Sequence, residues 1–195
     1  MADPMPQYLF LYPTKFYFDS MMSLCRGFKE CGYSARRIND IIDARYRDNG
    51  YGISWLVFSK MGNACEPDLS CVSPYVKIRD GDLLLCTGYA FIDHMIKHIY
   101  PDANRLLDNL PPHKRLVLGG FHRDDCIERV ARASWMLGVD TFVDEDTTNS
   151  FFPRTCMLGE LPLVRESWGP YSAEPPDLLE SEIERRKGRP WLVQG

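Results

Sequence analysis

The residues best suited to chemistry in this chain lie around Cys126. A short apolar run ends at Gly120, a polar turn follows, and Cys126 comes just inside a helix predicted over Asp124–Leu137. A strand with an acidic end is predicted next, over Val139–Val143. A thiol near the first turn of a helix gains from unpaired amides and from the helix dipole, so its pKa can fall below the ordinary value of about 8.5. The pattern indicates a nucleophilic cysteine beside amides that could stabilise an oxyanion.

Polar side chains next to this cysteine are candidate partners. His122 is a candidate general base, and Arg123 could stabilise a thiolate or bind an anionic ligand. Backbone amides around Phe121 and His122 could complete the oxyanion site. Asp124 and Asp125 act in the opposite direction, because a nearby negative charge raises the pKa of a thiol. We expect one of these two carboxylates to cap the helix instead.

The composition argues against several classes of function. The 195 residues suffice for a compact domain with a large core, and the net charge of −4 without a long basic run gives no support for nucleic-acid binding. The longest apolar runs have the length of strands, and the N-terminal residues lack the pattern of a secretory signal, so we expect no membrane segment. The odd count of seven cysteines favours free thiols and a cytoplasmic location.

The sequence offers little for a metal site. Cys65 and Cys71 are too widely spaced for a CxxC pair, and the histidines do not cluster with them. His94 and His98 are one helical turn apart and could share a metal ion, but they lack acidic or cysteine partners nearby. A polar helix face is the simpler interpretation, and we predict neither a metal nor a cofactor.

Short apolar strands alternate with helices along the chain. The predicted strands are Tyr8–Tyr12, Ile53–Phe58, Asp82–Cys86, Arg115–Leu118 and Val139–Val143. The other predicted helices are Asp19–Cys31, ending at Gly32, then Ala35–Asn49 after Ser34 and closed by Gly50, Tyr89–Tyr100 and Pro101–Asn109, with a loop over Met61–Pro74. This alternation predicts an α/β fold of three layers, α/β/α, with a mainly parallel sheet. The groups at the carboxyl edge of that sheet would be Pro13, Ser59, Thr87, Phe121 to Cys126 and Asp144 to Thr148.

The pattern breaks after Thr148. Residues 151–195 are rich in proline and carry little strand signal, and only Asp177–Lys187 has the pattern of a helix. We therefore predict an α/β domain over residues 1–150 and an irregular C-terminal arm over 151–195. The arm would pack on the domain or on a partner subunit.

The segment around Cys126 resembles the isochorismatase-like hydrolases, which include nicotinamidases. The residues that carry the resemblance are Gly120, Cys126, Ile127, Ala131, Ser134, Gly138 and the acidic end Asp144–Thr148. The upstream residues that follow the same order are Ile38-Asn39, Ala44-Arg45, Gly50, Gly81-Asp82 and Ala90-Phe91. The resemblance covers roughly residues 8–148.

The resemblance implies a mechanism whose parts this chain only partly supplies. In the family a cysteine attacks an amide carbonyl, a carboxylate at the end of the first strand acts as base, and a lysine lies near both. The carboxylate position falls on Pro13, which has no acid–base chemistry, and the nearest carboxylate downstream is Asp19. The lysine would follow Gly81-Asp82 by a few residues, where Cys86–Gly88 stand instead.

Other family features bear on ligands and assembly. Nicotinamidases carry an Asp/His metal cluster after the second strand, whereas Ser59–Ser73 contains no histidine. Family members often have a cis peptide at the position of Phe121-His122. The family is generally oligomeric, which implies a homo-oligomer here.

These observations leave three hypotheses. The first is a divergent isochorismatase-like protein without ordinary cysteine-hydrolase activity, a pseudoenzyme that acts as a ligand-binding or protein-interaction subunit. The second is a cysteine-dependent hydrolase or transferase of a small amide with a rebuilt site, and the third is an assembly protein that uses residues 151–195 as an arm. The predicted site residues are Cys126, His122 and Asp19 for catalysis, with Phe121, Arg123, Thr87 and Tyr89 for binding a small-molecule ligand.

Overall fold

A computed structural model describes residues 4–24, 29–149, 184 and 186–192. In these ranges the strands are β1 (Gln7–Leu11), β2 (Gly52–Val57), β3 (Ser59–Lys60), β4 (Asn63–Pro67), β5 (Leu83–Cys86), β6 (Arg115–Phe121) and β7 (Asp140–Asn149). The helices are α1 (Lys15–Leu24), α2 (Lys29–Arg45), α3 (Phe91–Lys97), α4 (Ala103–Asp108) and α5 (Glu128–Met136). The main sheet has five parallel strands in the order β5-β2-β1-β6-β7, which confirms the predicted three-layer α/β fold.

The central strand β1 shows why this sheet is covered on both faces. Every residue of β1 is buried, so its apolar side chains must pack against layers above and below. On one face the ring of Tyr8 stacks on Tyr46 at 4.3 Å, and Phe10 packs on Phe18 of α1 at 6.3 Å. Leu9 and Leu11 point to the opposite face and belong to the same buried core.

The helix before β2 differs from its prediction. The expected break between Gly32 and Ser34 is wrong, because α2 runs through both residues as one helix. A glycine inside a helix costs only about 1 kcal/mol relative to alanine. Burial of Ile38 and Ile42 on the core side of α2 offsets that cost. The predicted end at Asn49 is also wrong for the α-helix, because α2 ends at Arg45. A separate 3-10 turn follows over Arg47–Asn49, and Gly50 closes it in a left-handed conformation at φ 78°.

The predicted loop over Met61–Pro74 contains regular structure. β3 and β4 form a small antiparallel hairpin, and a 3-10 turn follows over Leu69–Cys71. The residues of β4 are mostly exposed on both faces, so the strand carries no alternation of apolar residues that a sequence pattern could show. The hairpin lies beside β5, at the end of the main sheet.

Strand β6 is longer than predicted because it continues through two glycines. A Cβ on Gly120 would lie 2.7 Å from the Leu11 nitrogen and closer still to its carbonyl oxygen. Gly120 also has φ 111°, in the region that favours glycine. The close approach of β1 and β6 therefore requires glycine at this position, shortly before the turn that carries Cys126.

The C-terminal arm falls mainly outside the described residues, including most of the predicted helix Asp177–Lys187. Glu184 and Arg186 within it are helical. Trp191 and Leu192 are buried in the core of the α/β domain. No helix among the described residues is long and apolar enough to cross a membrane.

Candidate functional site

The cysteine turn begins where β6 ends. A cis peptide joins Phe121 to His122, as the resemblance led us to expect. One turn of π-helix follows over Arg123–Ile127 and leads into α5. This geometry places Cys126 at the carboxyl edge of the sheet, but its side chain is buried, with 2% of its surface exposed.

Tyr12 covers the thiol. β1 ends at Leu11, and Tyr12 follows it with a left-handed φ of 58°, which turns its side chain above the edge of the sheet. Its hydroxyl is close enough to the Cys126 thiol to lower the pKa of that thiol, and it lies 3.3 Å from the Tyr89 hydroxyl. The prediction that placed Pro13 directly at the strand end is one residue out, because β1 begins and ends one residue earlier than predicted. Tyr12 occupies that place instead.

Aromatic rings enclose Tyr12 and the thiol. Tyr12 stacks on Phe58 with 4.7 Å between centroids and lies 5.4 Å from the ring of His94. Tyr17 packs edge-on against His122 at 5.0 Å. These rings, here called the aromatic wall, cover the buried thiol. They create a low-dielectric environment that disfavours charge on the thiol.

One carboxylate of the cysteine turn faces the thiol. Asp125 Oδ2 lies 3.9 Å from Cys126 Sγ, and Asp125 Oδ1 accepts a hydrogen bond from Arg129 Nε at 3.2 Å. The guanidinium of Arg129 lies over the ring of Tyr100, 4.0 Å from its centroid. His122 occupies the N-cap position of this turn, and Asp124 and Asp125 lie within the first turn instead. The prediction of a carboxylate cap is therefore wrong.

The pKa of the thiol moves opposite to the direction expected from a helix N-terminus. Burial and, to a smaller extent, the negative charge of Asp125 together raise the pKa of Cys126 to about 12. The Tyr12 hydroxyl and Arg129 act against this but are weaker. Desolvation therefore outweighs the helix dipole here, and the thiol is protonated at neutral pH.

His122 does not compensate as a base. Burial lowers its pKa to about 4, so the imidazole is neutral at pH 7 and a weak proton acceptor. With pKa values of about 12 for the thiol and about 4 for the imidazole, proton transfer between them is uphill by on the order of 10 kcal/mol. A thiolate–imidazolium pair is therefore not a resting state of this site.

The other predicted site residues divide into two groups. Tyr89 belongs to the surroundings of the thiol because its hydroxyl contacts the hydroxyl of Tyr12. Thr87 directly follows β5, and its hydroxyl donates a hydrogen bond to the Tyr89 carbonyl at 2.6 Å. Phe121 is a core residue that packs on Phe18 at 5.1 Å. Asp19 is exposed on α1, so the structure does not bury it beside the thiol as a base would require.

Arg123 is committed to buried ion pairs. Its Nη1 lies 3.0 Å from Glu145 Oε1, and its Nη2 lies 3.2 Å from Asp124 Oδ2. The side chains of Arg123 and Glu145 are each 1% exposed. These contacts give Arg123 a structural role, and its predicted role in anion binding stays a prediction.

Three C-terminal side chains bind the residues in and around the cysteine turn. They are Arg186, Arg189 and Trp191, here called the C-terminal clamp. Arg186 Nη2 donates to both oxygens of Glu145 at 2.8 and 2.7 Å. Arg189 Nη1 donates to Asp124 Oδ1 at 2.9 Å, and Trp191 Nε1 donates to Glu128 Oε2 at 3.0 Å.

The histidine pair considered for metal binding is used otherwise. His94 Nδ1 is 2.6 Å from the carbonyl oxygen of Ile99, so it carries the proton and donates. His98 ends α3 in a left-handed conformation, with φ 52°. Among the described residues, no group of three or more His, Cys, Asp or Glu side chains could hold a metal ion.

Comparison with solved structures identifies the fold. The structure superposes on a pyrazinamidase of Pyrococcus horikoshii in complex with zinc, with a TM-score of 0.54, 14% identity, and 98% of this chain and 100% of that chain covered. It superposes on an isochorismatase from Pseudomonas putida with a TM-score of 0.53, 12% identity, and coverage of 99% and 90%. A putative isochorismatase hydrolase from Oleispira antarctica gives a TM-score of 0.52, 18% identity, and coverage of 77% and 78%.

The chain has the isochorismatase-like hydrolase fold. No family model matches the sequence, and no curated protein matches it either. The similarity thus lies in the arrangement of the chain and extends over most of its length.

Several residues around the Cys126 thiol in this isochorismatase-like fold were not predicted from the sequence. Tyr12 was predicted only as the last residue of a strand, and Arg129 and Tyr100 were not predicted as neighbours of the thiol. One signal could have found Tyr12, because it directly follows the first strand, where the family has its carboxylate. Nothing in the sequence indicated that Arg129 would lie over Tyr100, since that contact depends on how α5 packs.

The electrostatics of the site predict opposite effects for two substitutions. Asp125→Asn removes the negative charge that raises the thiol pKa, so we expect iodoacetamide to label Cys126 roughly three to ten times faster at pH 8.5. Tyr12→Phe removes the hydroxyl whose interaction lowers the pKa of the thiol, so labelling should become slower. Rates are measured by peptide mass spectrometry, with Asp80→Asn on the exposed surface as control. Equal rates in all three variants would contradict this account.

Proposed function

We propose that this chain is a non-hydrolytic member of the isochorismatase-like fold and acts as a binding subunit. The observation that carries the proposal is the state of Cys126, which is buried beneath Tyr12 and has a pKa of about 12. A nucleophilic cysteine must present a thiolate to substrate, and this site disfavours both the charge and the access.

The surroundings of the thiol support binding as the alternative use of the site. Phe16 is half exposed and packs on Phe91 at 5.2 Å, and Tyr17 donates to the sulfur of Met95 at 3.7 Å. Ile92 and Ile96 of α3 are also exposed. These side chains extend the aromatic wall to the surface as an apolar patch of the kind that marks interaction sites.

The proposal includes the assembly and location expected from the sequence. A homo-oligomer is part of it and is measured by light scattering of the purified protein. The cytoplasmic location stays a prediction. The rebuilt hydrolase with Cys126 as nucleophile is the competing function that the experiment below separates.

The test combines turnover with thiol reactivity. The protein and its Cys126→Ala variant are incubated with a panel of small amides and with isochorismate, and we expect no turnover by wild type above the variant. In a parallel labelling experiment, Cys126 should react about a thousand times more slowly in native protein than in urea, because a pKa of about 12 leaves far less thiolate than the ordinary value. The exposed Cys65 serves as internal control.

Two results would overturn the proposal. One is turnover of any panel substrate that Cys126→Ala abolishes. The other is labelling of native Cys126 at the rate of Cys65, which would show an accessible, ionisable thiol and favour the hydrolase.

A further inference from the structure

Two cysteines lie together on neighbouring strands, outside the site around Cys126. Cys86 is the last residue of β5, and Cys65 lies in the middle of β4. The Cys86 thiol donates to the backbone carbonyl of Cys65, with 3.4 Å between sulfur and oxygen. The contact between the Cys86 sulfur and the backbone of Cys65 shows that the two residues lie side by side, which is the first requirement for a disulfide between them.

The hairpin that carries Cys65 is held in place beside β5. Ser59 donates its hydroxyl to the Ala64 carbonyl at 2.8 Å and accepts a hydrogen bond from the Gly88 amide at 3.0 Å. The Asp68 amide donates to the Phe58 carbonyl at 2.8 Å. These bonds tie β4 to the exits of β2 and β5 on both sides of Cys65, so the two cysteines stay close without a ligand.

The two thiols differ in a way that suits sequential oxidation. Cys65 is exposed and can meet a solute, whereas Cys86 is half-buried behind it. Burial raises the pKa of Cys86, and Cys65 is close enough to raise it further. Cys71, the other cysteine of this region, lies apart in its bonding, since its thiol donates to Asp68 Oδ2 at 3.0 Å.

We propose that Cys65 and Cys86 form an oxidisable dithiol site that a hydroperoxide closes to a disulfide. The Cys65 thiol gives up its proton, and the thiolate attacks one oxygen of hydrogen peroxide, breaks the O–O bond and becomes a sulfenic acid, while the departing hydroxide takes up that proton and leaves as water. The Cys86 thiol then attacks the Cys65 sulfur, the S–O bond breaks, and the hydroxyl leaves with the Cys86 proton as a second water. Two thiols and one peroxide thus give one disulfide and two waters.

The position of this disulfide gives it a consequence for the rest of the fold. It would attach the hairpin β3–β4 covalently to β5, one residue before Thr87 and three before Tyr89. Tyr89 is the residue that reaches Tyr12 above Cys126. Oxidation would therefore stiffen the strand exit that supports the aromatic wall.

The experiment treats the reduced full chain with one equivalent of hydrogen peroxide and analyses it by intact-mass and peptide mass spectrometry. We expect a loss of about 2 Da, a peptide pair that joins Cys65 to Cys86, and reversal by dithiothreitol. The closed loop should raise Tm by roughly 5–10 °C relative to the reduced protein. Cys65→Ser and Cys86→Ser should each abolish the mass loss, whereas Cys71→Ser should keep it.

Two results would contradict the proposed disulfide. Addition of about 16 or 32 Da on Cys65 without a cross-link would show that Cys86 does not reach it, and a disulfide to any other cysteine would show a different pairing. Either result overturns the proposal. Neither bears on the non-hydrolytic role proposed for the Cys126 site, which is tested by turnover.

Discussion

Gly120→Ala should strongly destabilise the fold and leave a substantial fraction of the chain unfolded at 37 °C. The added Cβ would overlap the backbone of Leu11, which lies in the central strand and cannot move without displacing both of its neighbours. Gly120 also has φ 111°, which L-residues rarely adopt. We expect a loss of more than about 4 kcal/mol in the free energy of unfolding, out of the total of about 5–15 kcal/mol typical of domains. Urea denaturation followed by circular dichroism measures it.

Gly138→Ala is the matched control for this result. Gly138 also has a positive φ, 79°, but nothing lies within 4 Å of the position of its Cβ. The only cost of the substitution is then the left-handed backbone conformation, so we expect the free energy of unfolding to fall by about 1–2 kcal/mol. Comparable losses in the two variants would contradict the view that the closeness of β1 and β6 demands glycine.

Glu145→Ala should cost about 3–5 kcal/mol in the free energy of unfolding. The Glu145 carboxylate pairs with Arg123 at 3.0 Å and with Arg186 at 2.7 Å, and the arginine side chains are only 1% and 9% exposed. Removing the carboxylate takes a negative charge away from two buried guanidinium groups, which destabilises the folded state. Because Arg186 belongs to the C-terminal clamp, we also expect faster proteolysis of the last residues, followed by mass spectrometry.

Glu184→Ala is the control for Glu145→Ala. Glu184 pairs with Lys187, but both side chains are largely exposed, so the change should stay within about 0.5 kcal/mol. A triple variant, Arg123→Met with Glu145→Leu and Arg186→Met, should recover much of the loss, because replacing a whole buried ion group by apolar residues is often neutral. Equal destabilisation by Glu145→Ala and Glu184→Ala would show that the buried pairs matter no more than surface ones.

The sheet could be predicted from the sequence because its strands are buried on both faces. Runs such as Tyr8–Tyr12 are apolar throughout, and the helices between them allow only parallel pairing. The hairpin β3–β4 escaped prediction for the opposite reason, since its residues are exposed and its pairing is held by backbone contacts. The continuity of α2 through Gly32 also depends on tertiary packing, which outweighs the local preference for a break.

The candidate site was predictable in position but not in chemistry. Cys126 lies at the edge of the sheet where the pattern placed it, after the cis peptide that the resemblance led us to expect. Its raised pKa follows from burial under Tyr12, and that burial depends on a left-handed tyrosine that no propensity favours. The strand boundary was one residue out, so Tyr12 and not Pro13 directly follows β1.

The bond between β7 and the C-terminal clamp bears on the solubility of the chain. β7 lies at one end of the main sheet, and an uncovered edge strand is a template for pairing with strands of other molecules. The Val143 amide donates to the Trp191 carbonyl at 2.8 Å, so the clamp covers part of that edge. A protease that cut before Arg186 would remove this cover together with the ion pairs. The cleaved chain would then be prone to aggregate through β7, which gives the last residues a protective role as well as a structural one.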